Sequence, residues 1–161
     1  MHSKIQPLFD KYGESHQNPA NKAIHWICVP IIFFTIIGLL SLIPLAGTDT
    51  AVAPGLLPYL HLGTLLIVVG VLFFLRLSIP VAIGMLAISA LVLYGVKVVN
   101  LNFPDSALYA YLTLFVLAWI GQFIGHKIEG KKPSFIDDLK FLLIGPAWLL
   151  HFIYQKLGIS Y

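Results

Sequence analysis

"SHQNPANKAIHWICVPIIFFTIIGLLSLI" occupies residues 15–43. Its first third is polar and turns at Asn18-Pro19. From Ala23 to Ile43 there is no charged residue, and only His25, Thr35 and Ser41 interrupt the apolar run. A bilayer core is crossed by about 20 mostly apolar residues in a helix. The stretch therefore reads as a membrane span with a polar cap that carries two histidines.

The rest of the chain agrees. Of its 161 residues, 58% are hydrophobic and only 11% charged, where soluble domains carry about 25% charged residues. Further apolar runs cover residues 56–75, 79–99 and 107–124, with a shorter segment over 139–154 that contains Gly145-Pro146. The expected fold is all-α: one polytopic integral membrane domain over residues 1–161, with four transmembrane helices. The last segment is expected to be re-entrant or interfacial rather than a fifth span. No cleaved signal peptide is expected, because a long uncleaved anchor follows the polar start. Cys28 is the only cysteine, so neither a disulfide framework nor a thiolate metal site can be built within the chain. The net charge of +3 is scattered at the ends of apolar runs, a pattern that does not suggest a nucleic-acid partner. No phosphate-binding glycine loop or nucleophile elbow occurs.

Charge sets the expected orientation. Lys4, Lys11 and Lys22 precede the first run; Lys127, Lys131, Lys132 and Lys140 follow the fourth; the intervening far-side loops carry Asp49 and Asp105. Lys and Arg mark cytoplasmic loops, so the amino terminus and the segment after the fourth span are both expected on the cytoplasmic side. Lys97 alone dissents, and a lysine near a helix end can snorkel.

This topology brings distant polar residues to one face. His25 starts the first span and His126 ends the fourth, with an even number of crossings between them. Asn18 is a candidate N-cap and Pro19 a first helical residue, which puts Asn21 and His25 on one helix face. His16 precedes the turn and can fold back. Trp119, Gln122, His126 and Glu129 form one stripe, and Gly121 and Gly125 allow another helix to approach. His61 starts the second span on the far side. His151 joins the set only if the last segment returns to the same face. Two readings of these residues stand: a non-haem metal site built on imidazoles, with Glu129 or Gln122 as ligand or orienting group, and interfacial polar residues satisfied by water and headgroups.

Three blocks, "YGESHQNPANKAIHWICVPIIF" (12–33), "WIGQFIGHKIEGKKPSF" (119–135) and "LIGPAWLL" (143–150), resemble the small membrane-protein family that contains the fungal 2-hydroxy fatty acid dioxygenase of phytosphingosine breakdown. The resemblance covers nearly the whole chain. It implies an Fe(II)-dependent dioxygenase that cleaves C1–C2 of a long-chain 2-hydroxy fatty acid in α-oxidation, using O2 and releasing the acid one carbon shorter. His16, His25 and His126 would be metal ligands and, with Glu129, carry catalysis; His151 is a further candidate ligand. Asn21, Gln122, Glu129, Lys22, Lys127 and Lys132 would support the ligands or bind substrate. The setting would be a bacterial inner membrane, or the endoplasmic reticulum membrane in a eukaryote, with membrane lipid around the chain and the site facing the cytoplasm. The alternatives are another His-ligated lipid hydroxylase or desaturase, whose multiple histidine boxes are missing here, and a non-enzymatic small transporter or scaffold.

Overall fold

The computed structural model describes residues 4–45, 55–130 and 141–161. Within them the chain forms α1 (Gln6–Gly13), α2 (Pro19–Ser41), a 3-10 turn (Leu57–Tyr59), α3 (Leu62–Leu75), α4 (Ile79–Asn102), α5 (Ala107–Glu129) and α6 (Ile144–Leu157). No strand occurs among the described residues; Pro44 and His61 form an isolated bridge. Three helices, α2, α4 and α5, are long and apolar enough to cross a membrane. The surface has the matching character. Ile83, Leu91 and Leu117 face outward, whereas Asn21, Thr35, Ser89 and Gln122 are buried. That is the reverse of a soluble domain, in which exposed polar groups meet water.

α2 starts as the sequence predicts. The Asn18 side chain accepts a hydrogen bond from the Ala20 N–H at 2.9 Å, and Pro19 follows. Asn18→Ala is expected to cost about 1 kcal/mol, the usual worth of such a cap, read as a lower melting temperature in detergent. The most extensive helix contact is between α2 and α5, and small residues make it close. A Cβ at Gly121 would stand 2.6 Å from the Cys28 Sγ, a Cβ at Gly125 would strike the Asn21 Oδ1, and Gly38 lies under the Tyr111 ring. The Gly121/Gly125 pair therefore serves a contact inside the chain.

Two ends of the bundle follow from the hydrogen bonds. Asn100 Nδ2 donates to Ser41 Oγ at 2.8 Å, and the Leu45 N–H donates to Leu60 O at 2.9 Å. The end of α2, the start of α3 and the end of α4 thus lie together. The opposite end holds α1, the start of α2, the end of α5 and α6, whose Tyr154 hydroxyl donates to Pro80 O at 2.7 Å.

The structure differs from the sequence reading in several places. The helix in the 56–75 run has only 14 residues, about 21 Å at 1.5 Å per residue, because Pro58 lies in a 3-10 turn and His61 caps the helix start. It is shorter than a membrane core is thick. α4 and α5 run on to Asn102 and Glu129, past the expected 99 and 124. α1 stands where no helix was expected. Gly145-Pro146 does not break a helix; it opens α6, in the first turn, where proline has no hydrogen bond to forfeit. Residues 139–140 and the loop lysines Lys131, Lys132 and Lys140 lie outside the described residues.

Candidate functional site

α1, α2 and α5 bring three histidines together. One ring nitrogen from each of His16, His25 and His126 lies within 4.8 Å of the other two, and all three side chains are buried. Ring centroids are separated by 4.3 Å (His16–His25), 5.1 Å (His25–His126) and 5.3 Å (His16–His126). His25 comes from the first turns of α2 and His126 from the last turn of α5. His16 comes from the link between α1 and α2, folded back over them.

Backbone carbonyls orient two of the rings. His16 Nδ1 lies 2.6 Å from Tyr12 O, and His25 Nδ1 lies 2.9 Å from Asn21 O. A carbonyl only accepts, so each Nδ1 carries a proton, and in the neutral ring each Nε2 keeps its lone pair. Histidines that ligate metals are held in the same way. The donor set fits a first-row transition ion: three buried imidazoles on one spot, two with the tautomer a metal requires. Tyr12 also stacks on His16 at 4.2 Å and 15°, and Trp148 packs 5.3 Å away.

Of the two roles expected for Glu129, ligand or orienting group, its hydrogen bonds fit the second. Its Oε1 accepts from the Gln17 N–H at 2.8 Å; its Oε2 accepts from the Asn18 N–H at 2.9 Å and from Asn21 Nδ2 at 3.0 Å. Asn21 Nδ2 also donates to Ser15 O at 3.1 Å. Both carboxylate oxygens are thus engaged in tying the end of α5 to the turn that carries His16. Glu129 braces the cluster and is not one of its clustered ligand atoms. Asn21 is part of the same brace, seated against Gly125.

Gln122 lies one turn before His126. It is buried, and its Oε1 has no hydrogen-bond partner among the described residues. With Tyr12, Val29, Trp119, Phe141 and Gly145 it lines a cavity of about 20 Å³, room for about one water-sized molecule.

The remaining candidates do not converge here. His151 is turned away: its Nδ1 meets the Tyr161 hydroxyl and its ring packs on Phe9 at 5.3 Å. Burial pushes its pKa down, with Asp10 opposing. The expectation that it joins the cluster fails because α6 presents Trp148, not His151, to His16. Lys22 is half-buried and Lys127 exposed, at the same end of the bundle but outside the clustered ligand atoms; Lys132 lies outside the described residues. The sequence reading missed Tyr12, whose signal was available: it stands four residues before His16, the spacing of one helical turn. Trp148 carried no comparable signal.

The whole chain can be set beside known proteins. The family model described as "Mpo1-like: 2-hydroxy-palmitic acid dioxygenase Mpo1-like" matches residues 2–157. The chain is 30% identical over 149 residues to the 2-hydroxy-palmitic acid dioxygenase MPO1 of Saccharomyces cerevisiae, a match that covers 91% of this chain and 78% of that protein. No solved structure matches the chain.

Proposed function

We propose, from the premise that the chain belongs to the Mpo1-like family, that it is a membrane-bound, Fe(II)-dependent dioxygenase of long-chain 2-hydroxy fatty acids. The observation that carries the reading is the buried cluster of His16, His25 and His126. The reaction cleaves C1–C2 and leaves the acid one carbon shorter. Written with carbon dioxide and water as the other products, it balances. The 2-hydroxy acid gives up four electrons and dioxygen takes four, so no external reductant is needed.

The three histidines would hold the iron, and bound iron would supply the redox chemistry with dioxygen. Three neutral donors leave open positions and leave the charge of the ion for an anionic substrate. The remaining steps belong to the chain. Tyr12 O and Asn21 O hold the His16 and His25 rings in register. Glu129 and Asn21 keep the His16 turn closed over α5. Trp119, Phe141 and Val29 wall the small cavity against bulk water, and Gln122 offers its Oε1 to an O–H donor there. Lys22 and Lys127, with Lys132 beyond the described residues, attract the carboxylate to this end. An apolar cavity of about 240 Å³ lined by Trp26, Pro30, Phe33, Leu149 and Leu150 offers space to an acyl chain.

In the proposed topology α2, α4 and α5 cross the membrane and the short α3 returns the chain between α2 and α4. The lysines near the histidine end support a cytoplasmic setting for that end. The test is aerobic incubation of the Fe(II)-loaded, detergent-purified chain with 2-hydroxypalmitate. Pentadecanoic acid is expected by mass spectrometry, with palmitate left intact. Loaded protein that leaves 2-hydroxypalmitate unchanged would overturn the reading.

A further inference from the structure

We infer a second binding site, at the end of the bundle remote from the three histidines: a cavity in which Lys97 and His61 receive the phosphate of an anionic lipid headgroup. The site does not depend on the dioxygenase reading. The cavity measures about 210 Å³ and is lined by Ser41, Pro44, His61, Lys97, Asn100 and Leu101, among others.

Two donors face it. His61 is 4% exposed. Its Nδ1 accepts from the Thr64 N–H at 3.2 Å, capping α3. In the neutral ring the proton must then sit on Nε2, and Nε2 has no hydrogen-bond partner among the described residues. Burial pushes the His61 pKa down, which keeps the ring neutral. The second donor is the Lys97 ammonium. It lies 5.2 Å from the centre of the Tyr59 ring and makes no ion pair among the described residues.

The other polar side chains of the walls are hydrogen-bonded to one another. The Tyr111 hydroxyl donates to Asn100 Oδ1 at 2.9 Å, Asn100 Nδ2 to Ser41 Oγ at 2.8 Å, and the Ser41 hydroxyl to Gly38 O at 2.6 Å. That chain ends on a carbonyl and spends the Ser41 proton. Among the side chains this leaves one cation, the His61 N–H and the second Asn100 N–H, all donors, which calls for an anion. One positive charge matches the single negative charge of a phosphodiester. Leu57, Leu60 and Leu101 border the same cavity and suit the glycerol and acyl parts. The cavity lies at the ends of apolar helices, at headgroup depth. A bound anion also accounts for a lysine on the side where the charge pattern places none.

The experiment is native mass spectrometry of the full chain in detergent micelles doped with phosphatidylglycerol or phosphatidylcholine. The unaltered chain is expected to retain phosphatidylglycerol in preference. Lys97→Gln should lower that retention about fivefold, the worth of one basic residue near an anionic headgroup, and Lys97→Arg should keep it. His61→Asn preserves a good N-cap but removes the Nε2 donor, and should also lower retention. Arg76→Gln, at the opposite end, should not. The proposal is overturned if Lys97→Gln retains phosphatidylglycerol like the unaltered chain or if phosphatidylcholine is held equally well. It is overturned too if millimolar inorganic phosphate displaces the lipid, which would make the site one for the free anion.

Discussion

His126→Ala, purified from membranes, is expected to lose its bound iron and its activity on 2-hydroxypalmitate while keeping its helical content. The argument is one of position. His126 is buried at the end of α5, with its ring 5.1 Å from His25 and 5.3 Å from His16. Loss of an outer-shell partner typically costs 10–100-fold in metal affinity or activity. Loss of one of three protein ligands should cost more, on the order of 10³-fold or beyond. The fold should survive because α5 is held by its whole length against α2, through Gly121, Gly125 and Tyr111. His25→Ala should behave alike. His151→Ala should retain iron, since that ring packs on Phe9 away from the cluster. Metal analysis on the three variants separates the outcomes, and iron lost from His151→Ala but kept in His126→Ala would reverse the assignment.

Glu129→Ala should produce the second-largest effect, by a different route. The carboxylate accepts from Gln17 N, Asn18 N and Asn21 Nδ2. Hydrogen bonds to a charged group contribute about 1.5–3 kcal/mol each in favourable settings, but Glu129 is half-exposed and water will take over part of the role. A net loss of about 2 kcal/mol is expected, with the His16 turn released first. Iron affinity should fall about 10–100-fold, not disappear. Glu129→Gln should recover only part of this. Its amide nitrogen would face N–H donors that need an acceptor. Iron titration followed by thermal melting distinguishes a brace from a ligand: a ligand would show loss comparable with His126→Ala.

The sequence made the scaffold of this site legible because its signals were local. Asn18-Pro19 marked the start of α2. The four-residue spacing of Asn21 and His25 put them on one face, and Gly121 and Gly125 marked a close helix contact. Parity of apolar runs then placed His25 and His126 at one end, where the structure has them. What escaped depended on tertiary context. α1 is eight residues long, too short for a periodic pattern to stand out, and its last turn supplies Tyr12. A continuous apolar run over 56–75 hid the 3-10 turn at Leu57–Tyr59, since apolar character reports burial or lipid contact rather than backbone form. Gly145-Pro146 has opposite meanings inside a helix and at its start, and only the neighbouring helices decide between them. The role of Glu129 was ambiguous for a similar reason. Its spacing put it on the polar stripe, but the donors it serves come from residues more than a hundred positions away.

The central claim is that His16, His25 and His126 grip one ion. X-ray absorption at the iron edge of the Fe(II)-loaded chain tests it most directly. The account predicts a first shell containing nitrogen, with the outer-shell scattering of three imidazoles. A shell made of oxygen alone, or one without imidazole scattering, would contradict it.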